Sequence, residues 1–443
     1  MDKQDTSKRT GDFIRNSATI KIFTIGLLVL ILLIPTSMIS SLIRERKSRR
    51  NSVVKEINQK WGESQTITGP FFTVPFKSFY KDRNELKFKI HYLHILPENI
   101  HISGQIDPQI RYRSIYEAVI YNTQINIKGN FTIPVLDKLD IDPENILWEK
   151  AVFSVGITDM KGIQDNIIIK FNEKDYKAGP GLKTKDIASS GVQCVIPLSA
   201  TESDRTFSLQ LNLNGSEQIH FIPVGETTSV NLESNWPSPS FNGAFLPVTR
   251  EISDKGFSAV WNVLHLNRNF PQFWEGNKYK VNGFPFGVKL LLTTDIYQKS
   301  VRTSKYGLMF IVFTFSVFFF SEVLNKKRVH PIHYILIGLA IILFYALLLS
   351  ISEHLNFGFA YILSSIAITT IITGYSKSVL RNNRFTLTVF GLLAILYAYL
   401  YIVLQLEDYA LIMGSIGLFI ALTTVMYITK KIDWYSLNKD QIQ

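Results

Sequence analysis

The chain has 443 residues, with 47 Lys and Arg against 36 Asp and Glu, a formal net charge of +11. That length exceeds one ordinary domain, and the single cysteine, Cys194, excludes an intrachain disulfide. The basic balance invites a nucleic-acid partner, but the basic residues cluster beside apolar runs, where membrane topology accounts for them, and no RRM, KH or zinc-finger pattern accompanies them.

The mean hydropathy of +0.12 averages over two unlike parts. Long apolar runs lie near the N-terminus and in the last third, and the stretch between them reads as an ordinary domain able to bury its own core. The first run, Ile22–Ile43, follows a basic leader (Lys8, Arg9, Arg15, Lys21). No small-x-small pair follows its apolar core, so it reads as an uncleaved signal anchor, kinked and not ended by Pro35. Arg44, Arg46, Lys47, Arg49 and Arg50 come next. The stretch Arg44 to Lys60 is expected to begin as a helix leaving the membrane, its arginines meeting anionic headgroups.

From Trp61 to Gln298 the dominant period is two. Leu86-Lys87-Phe88-Lys89-Ile90-His91-Tyr92 alternates as a strand with one wet face does. Similar runs occupy Gln124–Ile127, Ala151–Ile157, Asn166–Phe171, Thr206–Leu213, Gln218–Val224, Ser258–Leu266 and Gly287–Thr293. Turn formers at Pro97-Glu98-Asn99, Ser103-Gly104, Asp142-Pro143-Glu144-Asn145 and Asn214-Gly215 separate them, and a helical turn or two is expected near Ile115–Val119. Many short strands at this spacing predict a sandwich-like β domain. Pro-Glu-Asn-Ile occurs at Pro97 and again at Pro143. Four residues are thin ground for a duplicated half-domain, and coincident turn chemistry is the plainer account. Sequons at Asn130 and Asn214 matter only in a eukaryotic secretory route. The strand-like setting of Cys194 predicts a buried, inert thiol.

The stretch Trp236-Pro237-Ser238-Pro239-Ser240-Phe241-Asn242-Gly243-Ala244-Phe245-Leu246-Pro247 is rich in Pro, Gly and aromatics. Two readings stand equally: a rigid loop that recognises a partner through Trp236, Phe241, Asn242, Gly243 and Phe245, or a kinked sheet edge. Arg250, Asn267 and Arg268 follow at positions suited to fixing that loop by hydrogen bonds.

Five further spans are predicted: Tyr306–Leu324, Ile332–Ile351, Phe357–Tyr375, Phe385–Leu404 and Tyr409–Ile428. The loop after the second span holds Lys326, Lys327 and Arg328, the next has no basic residue, the one after holds Lys377, Arg381 and Arg384, the next again has none, and the tail opens with Lys430 and Lys431. This alternation sets both termini in the cytoplasm and the large domain outside, against the local pull of Arg44 to Arg50. The expected layout is 1–21 cytoplasmic, 22–43 the first transmembrane helix, 44–305 the extracytoplasmic β-rich domain, 306–429 a five-helix bundle and 430–443 a cytoplasmic tail: an α+β membrane protein.

No P-loop, GxGxxG after a strand, HExxH or GxSxG elbow is present, and no catalytic residue, metal ligand or cofactor site is nominated. His330 and His333 lack a third ligand nearby and read as interfacial anchors. Glu353-His354, in a very short turn between apolar spans, has two readings: a proton-carrying or pH-sensing pair, or the polar tip of a wet loop. Glu322, in the last turn of its span, likewise has two readings: a functional polar residue of the membrane part, or a partner of Lys326, four residues on.

Taken together, Leu33-Ile34-Pro35, Ile43-Arg44-Glu45-Arg46 with Arg49-Arg50, Gly69-Pro70, Val74-Pro75, Phe241 to Pro247, Phe286-Gly287-Val288, Asp295 to Lys299, His330-Pro331-Ile332, Leu348-Leu349-Ser350 and Ser352-Glu353-His354 resemble the CreD family of bacterial inner-membrane proteins, named for cell envelope integrity. The resemblance implies a periplasmic domain and a link to two-component control of envelope and antibiotic-stress responses. It implies no established reaction or catalytic residue. The expected function is therefore non-enzymatic, with the lipid bilayer and an envelope component as partners. The alternative is a transporter or membrane-embedded enzyme acting on a lipid-linked or small substrate, which requires polar residues from several spans to converge on one cavity.

Overall fold

The computed structural model describes residues 18–82, 85–133, 141–198, 205–292, 296–325, 329–406 and 409–430. It is α+β, with one long N-terminal helix, a β-rich middle and a C-terminal run of apolar helices. The chain divides into two compact units, Met1–Arg50 with Thr294–Gln443, and Asn51–Thr293.

Helix α1 runs without a break over Ala18–Trp61. Its apolar part agrees with the predicted anchor, and the charged stretch after it stays helical as expected, because no Gly or Pro follows Pro35 until Gly62. There the backbone turns to φ +153°, and a Cβ would lie 2.7 Å from the Asn214 carbonyl oxygen, so the helix ends on a residue that only glycine suits.

The remaining helices of the first unit are α2 (Ile296–Lys305), α3 (Gly307–Asn325), α4 (Pro331–Ser352), α5 (Phe357–Leu380), α6 (Asn383–Gln405) and α7 (Ala410–Thr429). Their starts are capped as their sequences suggest: His330 before Pro331, Asn356 and Asn382 each accept a backbone N–H two residues on. Arg381, in the left-handed conformation at φ 47°, ends α5. Phe310, Phe315, Phe344, Tyr361 and Leu393 form a core that also takes in Leu28 and Leu32 of α1. Among the described residues, four helices are long and apolar enough to cross a membrane: Ile20–Trp61, Pro331–Ser352, Phe357–Val379 and Asn383–Gln405. Ile296–Lys305 and Gly307–Phe320, bent by 41°, make a fifth if taken as one span, and the last apolar helix, Ile412–Tyr427, is shorter. The predicted basic loop Lys326–Arg328, the leader residues Lys8, Arg9 and Arg15, Asp295 and the tail from Lys431 lie outside the described residues.

The second unit holds two sheets. One contains β1 (Gln65–Asp82), β2 (Glu85–Ile95), β5 (Val152–Ile157), β8 (Gly179–Pro180), β9 (Gly191–Val195), β11 (Gln218–Ile222), β13 (Pro239–Gly243), β16 (Phe273–Glu275) and β17 (Phe286–Leu290). The other contains β3 (Asn99–Arg113), β4 (Tyr116–Asn130), β6 (Ile168–Phe171), β7 (Lys174–Lys177), β10 (Thr206–Ser216), β12 (Thr227–Ser234), β14 (Thr249–Ser253) and β15 (Gly256–Leu264), in the order β14-β15-β12-β3-β4-β10-β6-β7. Their inner faces share one core: Phe72 and Phe153 of the first sheet pack edge-on against Phe171 and Phe207 of the second, with ring centroids 5.6 and 5.7 Å apart.

Every predicted strand lies within or overlaps an observed one, but four local readings are corrected. Ser114-Ile115 is a two-residue turn of the β3–β4 hairpin, with Ser114 at φ 57° and Arg113 paired to Tyr116, and no helical turn follows it. Ser103-Gly104 and Asn214-Gly215 lie inside β3 and β10, not between strands. Their glycines serve packing: a Cβ on Gly215 would lie 2.3 Å from the Tyr121 hydroxyl oxygen. Glu85 to Ile90 is exposed on both faces, as the β1–β2 hairpin extends beyond the shared core, so the alternation there buries nothing. Cys194 is half-buried, not fully enclosed, although burial still pushes its thiol up to about 11. The two Pro-Glu-Asn-Ile copies adopt different structures, one leading into β3 and the other forming a short 3-10 turn.

Candidate functional site

Between Lys21 and Arg44 helix α1 carries no charged residue. At its N-terminal end the Lys21 ammonium lies 2.8 Å from Glu322 Oε1 in the last turns of α3, and the Glu322 side chain is only 5% exposed. The Tyr334 hydroxyl, from the first turn of α4, donates to the other carboxylate oxygen at 3.4 Å. At the far end Arg46 lies 3.8 Å from Glu353, the residue that caps the C-terminus of α4. Tyr297, from the first turn of α2, donates to Glu353 at 3.1 Å. Lys21 and Arg46 are 25 positions apart, about 37 Å of helix at 1.5 Å per residue, so the two pairs bracket a length close to that of a bilayer core of about 30 Å. A carboxylate at this depth is costly unless paired, and both acquire a cation and a tyrosine hydroxyl.

The predicted site residues are distributed as follows. Glu353 and His354 have different surroundings: the carboxylate meets Arg46 and Tyr297, while the His354 side chain is exposed. Glu322 takes Lys21 as its partner, and Lys326 lies outside the described residues. His330 caps α4, and His333 Nδ1 lies 2.6 Å from the Tyr375 hydroxyl.

The Trp236–Pro247 stretch supplies β13, which pairs with β17 at the edge of its sheet. Phe241 packs against Phe257 and Trp261, the carbonyl of Phe245 accepts the Trp261 indole N–H at 3.2 Å, and Trp236 donates to the carbonyl of Leu291. Asn242 Oδ1 lies 2.7 Å from His220 Nε2, and Gly243 sits at φ +101°, where a Cβ would lie 2.2 Å from the carbonyl oxygen of Pro285. The residues thought to fix this stretch do other work. Arg250 is exposed on β14, and Asn267 accepts from Leu264 N–H. Arg268 donates to the carbonyls of Phe270, Val224 and Gly225 and to Gln272. Those carbonyls fall where the guanidinium reaches after the short 3-10 turn His265–Asn267, and burial lowers its pKa to about 10.

The family model for "Inner membrane protein CreD" matches residues 17–435. The chain belongs to the CreD family. The Inner membrane protein CreD of Escherichia coli (strain K12) is 32% identical over 427 residues, which cover 93% of this chain and 92% of that protein. The match runs from the start of α1 past the end of α7, so it takes in both ion pairs and both sheets.

Two groups come together only in the fold. Lys21 was noted as part of the leader, but its partner is 301 positions away, and the only signal is opposite charge at matching ends of two spans. The second group is aromatic. Tyr345, Tyr361 and Tyr397, from α4, α5 and α6, converge around Phe344, with the Tyr361 hydroxyl donating to the Tyr397 carbonyl at 2.7 Å. The Tyr345 and Tyr397 hydroxyls are buried without a partner among the described residues.

Proposed function

We propose that this multi-pass inner-membrane protein holds its β-rich domain on the periplasmic side and supports cell-envelope integrity under envelope and antibiotic stress as a binding and structural element, not as an enzyme. The observation that carries the reading is the alternation of charge along the bundle. Lys377, Arg381, Arg384 and Lys430 recur at one end, and the connection between α4 and α5 is free of Lys and Arg. The Lys21–Glu322 pair supports it, because it joins the start of α1 to the basic end of the bundle. Arg46 and Tyr297, near the two junctions with the inserted domain, meet at Glu353 on the opposite end. Both carboxylates are engaged in pairs, which favours anchoring over proton carriage. On this reading six spans place both termini in the cytoplasm, and the partners are the bilayer and an envelope component.

The test uses a Cys194→Ser background, with single cysteines at exposed Ser208 or Lys255. A membrane-impermeant maleimide should label both in intact spheroplasts, and a cysteine at Lys430 only after lysis. Labelling of the domain confined to lysed cells would overturn the sidedness. Deletion of the gene should raise sensitivity to cell-wall antibiotics; unchanged sensitivity would overturn the integrity role.

A further inference from the structure

The outward face of the eight-stranded sheet carries an unusual row. In register across six strands stand Glu251, Ser258, Glu233, Gln105, Gln124 and Asn212. Residues in register on neighbouring strands point to the same side, and all six are exposed or half-buried; both sequence neighbours of Ser258, Glu233, Gln124 and Asn212 are buried, whereas β14, which carries Glu251, is exposed throughout. At about 4.8 Å per strand the row is about 24 Å long. Two residues along lies a shorter second row, Asp107, Asn122 and Asn214.

These rows are not flat. A cavity of about 260 Å3 is lined by Gln105, Gln124, Asn122, Asn212 and Asn214, and closed at one side by Gln164 from the turn after Met160–Gly162. A second cavity of about 590 Å3 continues from it, sharing Gln105 and Asp107 and reaching Glu233, Glu251 and Ser258. Asn214 belongs to the wall of the first cavity, is 7% exposed, and its Oδ1 is buried with no hydrogen-bond partner among the described residues.

The chemistry of the lining selects the ligand. Asn is a poor strand former, yet Asn and Gln dominate the first cavity. Each amide offers two donors and an acceptor without charge, which matches hydroxyl groups that both give and take. In a chain with 47 Lys and Arg, only Lys255 lines either cavity, so an anionic polymer is not favoured. A peptide adds to a sheet at its edge strands, whereas five of the six strands under these rows lie inside the sheet and β14 alone is at its edge.

We propose that this outward face is a binding cleft for an uncharged, polyhydroxylated chain, a neutral carbohydrate. The inference deepens the envelope reading and rests on the domain being periplasmic, where glycans are the available polymers of this kind. Gln105 and Gln124 form its centre, and Glu233 and Glu251 accept hydrogen bonds from hydroxyls at the wider end.

The test uses the full-length protein in nanodiscs free of glycosidic detergent. Its affinity is measured for chitohexaose and for maltohexaose, with heparin, glycan strands released from peptidoglycan by an amidase (anionic through their freed lactyl carboxylates) and an unstructured peptide as comparators. At least one neutral glycan is expected to bind, with an affinity that changes less than about twofold between about 50 and 500 mM salt. Preference for chitohexaose would point to an N-acetylated glycan, and preference for maltohexaose to a glucan. Q105A/Q124A should weaken binding about tenfold, as loss of about 1.4 kcal/mol predicts, while Lys174→Ala, outside the cleft, leaves it unchanged. Tryptophan emission and thermal midpoint show that the double variant is folded; if it is not, the single variants Q105S and Q124S take its place. Absence of binding to both neutral glycans, binding confined to heparin, the released strands or peptide, or unchanged affinity in folded variants would overturn the proposal. The maleimide labelling is a separate measurement, so failure here leaves the sidedness standing or falling alone.

Discussion

His94 shows how far a single side chain can depart from what its neighbours in sequence suggest. It follows an alternating run, yet its ring is fully enclosed, with Thr73 Oγ1 3.1 Å from Nδ1 and Asp186 Oδ2 3.0 Å from Nε2. Burial lowers the pKa of the imidazole below its usual 6.5, and the pull of Asp186 in the other direction does not offset it. At neutral pH the ring is therefore uncharged, and it bridges the two oxygens by donating to the carboxylate and accepting from the hydroxyl. The sign of the pH effect follows. The unfolded chain takes up a proton near pH 6.5 that the folded ring resists, so this group's contribution is fully present above that value and is lost as pH falls toward the folded pKa. The thermal midpoint of the β-rich unit should drop between about pH 7 and pH 5, and His94→Gln should flatten that slope. Equal slopes in the two proteins would show that other groups govern the acid response. None of this was legible beforehand, since Thr73, His94 and Asp186 meet only after β1 and β2 pair and the 181–190 loop folds over them.

At the scale of the element, the readings that succeeded rest on one-dimensional properties. A charge-free run of about 20 residues reads as a span whatever surrounds it, and period two reads as a strand. The readings that failed needed the third dimension. Ser103-Gly104 has the composition of a turn, but Gly104 is small because a Cβ there would lie 2.9 Å from Leu232 Cδ2 across the sheet. Likewise the Pro- and Gly-rich stretch from Trp236 turns out to contain an edge strand whose aromatic side chains pack inward, the second of its two expected forms. The partner of Glu322 was invisible for the same reason. Breaking a buried ion pair from one side leaves an unpaired charge and costs about 3 kcal/mol or more. Lys21→Glu should accordingly lower the thermal midpoint of the purified protein, Glu322→Lys should do the same, and K21E/E322K should recover most of the loss. If the double variant is no better than the sum of the single ones, Lys21 and Glu322 are not a pair and α1 is held by its apolar contacts alone.

For the whole molecule, the decisive feature is that a bundle assembled from the two ends of the chain encloses in sequence a unit with its own core. Such units unfold independently unless they are strongly coupled, and this chain carries its own reporters. Trp61, Trp148, Trp236, Trp261 and Trp274 all belong to the β-rich unit, and Trp434 lies outside the described residues. Trp261 and Trp274 are at most 2% exposed, so their emission reddens when that core opens. The helices of the first unit dominate ellipticity at 222 nm. Urea competes for peptide and apolar groups in water-facing sheets, whereas helices embedded in lipid or detergent keep their hydrogen bonds out of its reach. In a urea titration of the solubilised protein, tryptophan emission should therefore shift at lower urea than the 222 nm signal decays. Arg268→Ala, which strips donors from the buried carbonyls of Val224, Gly225 and Phe270, should move the first transition alone. Coincident transitions in the wild-type protein, moving together in the variant, would mean that the two units fold as one and that strain in the sheets is felt throughout the bundle.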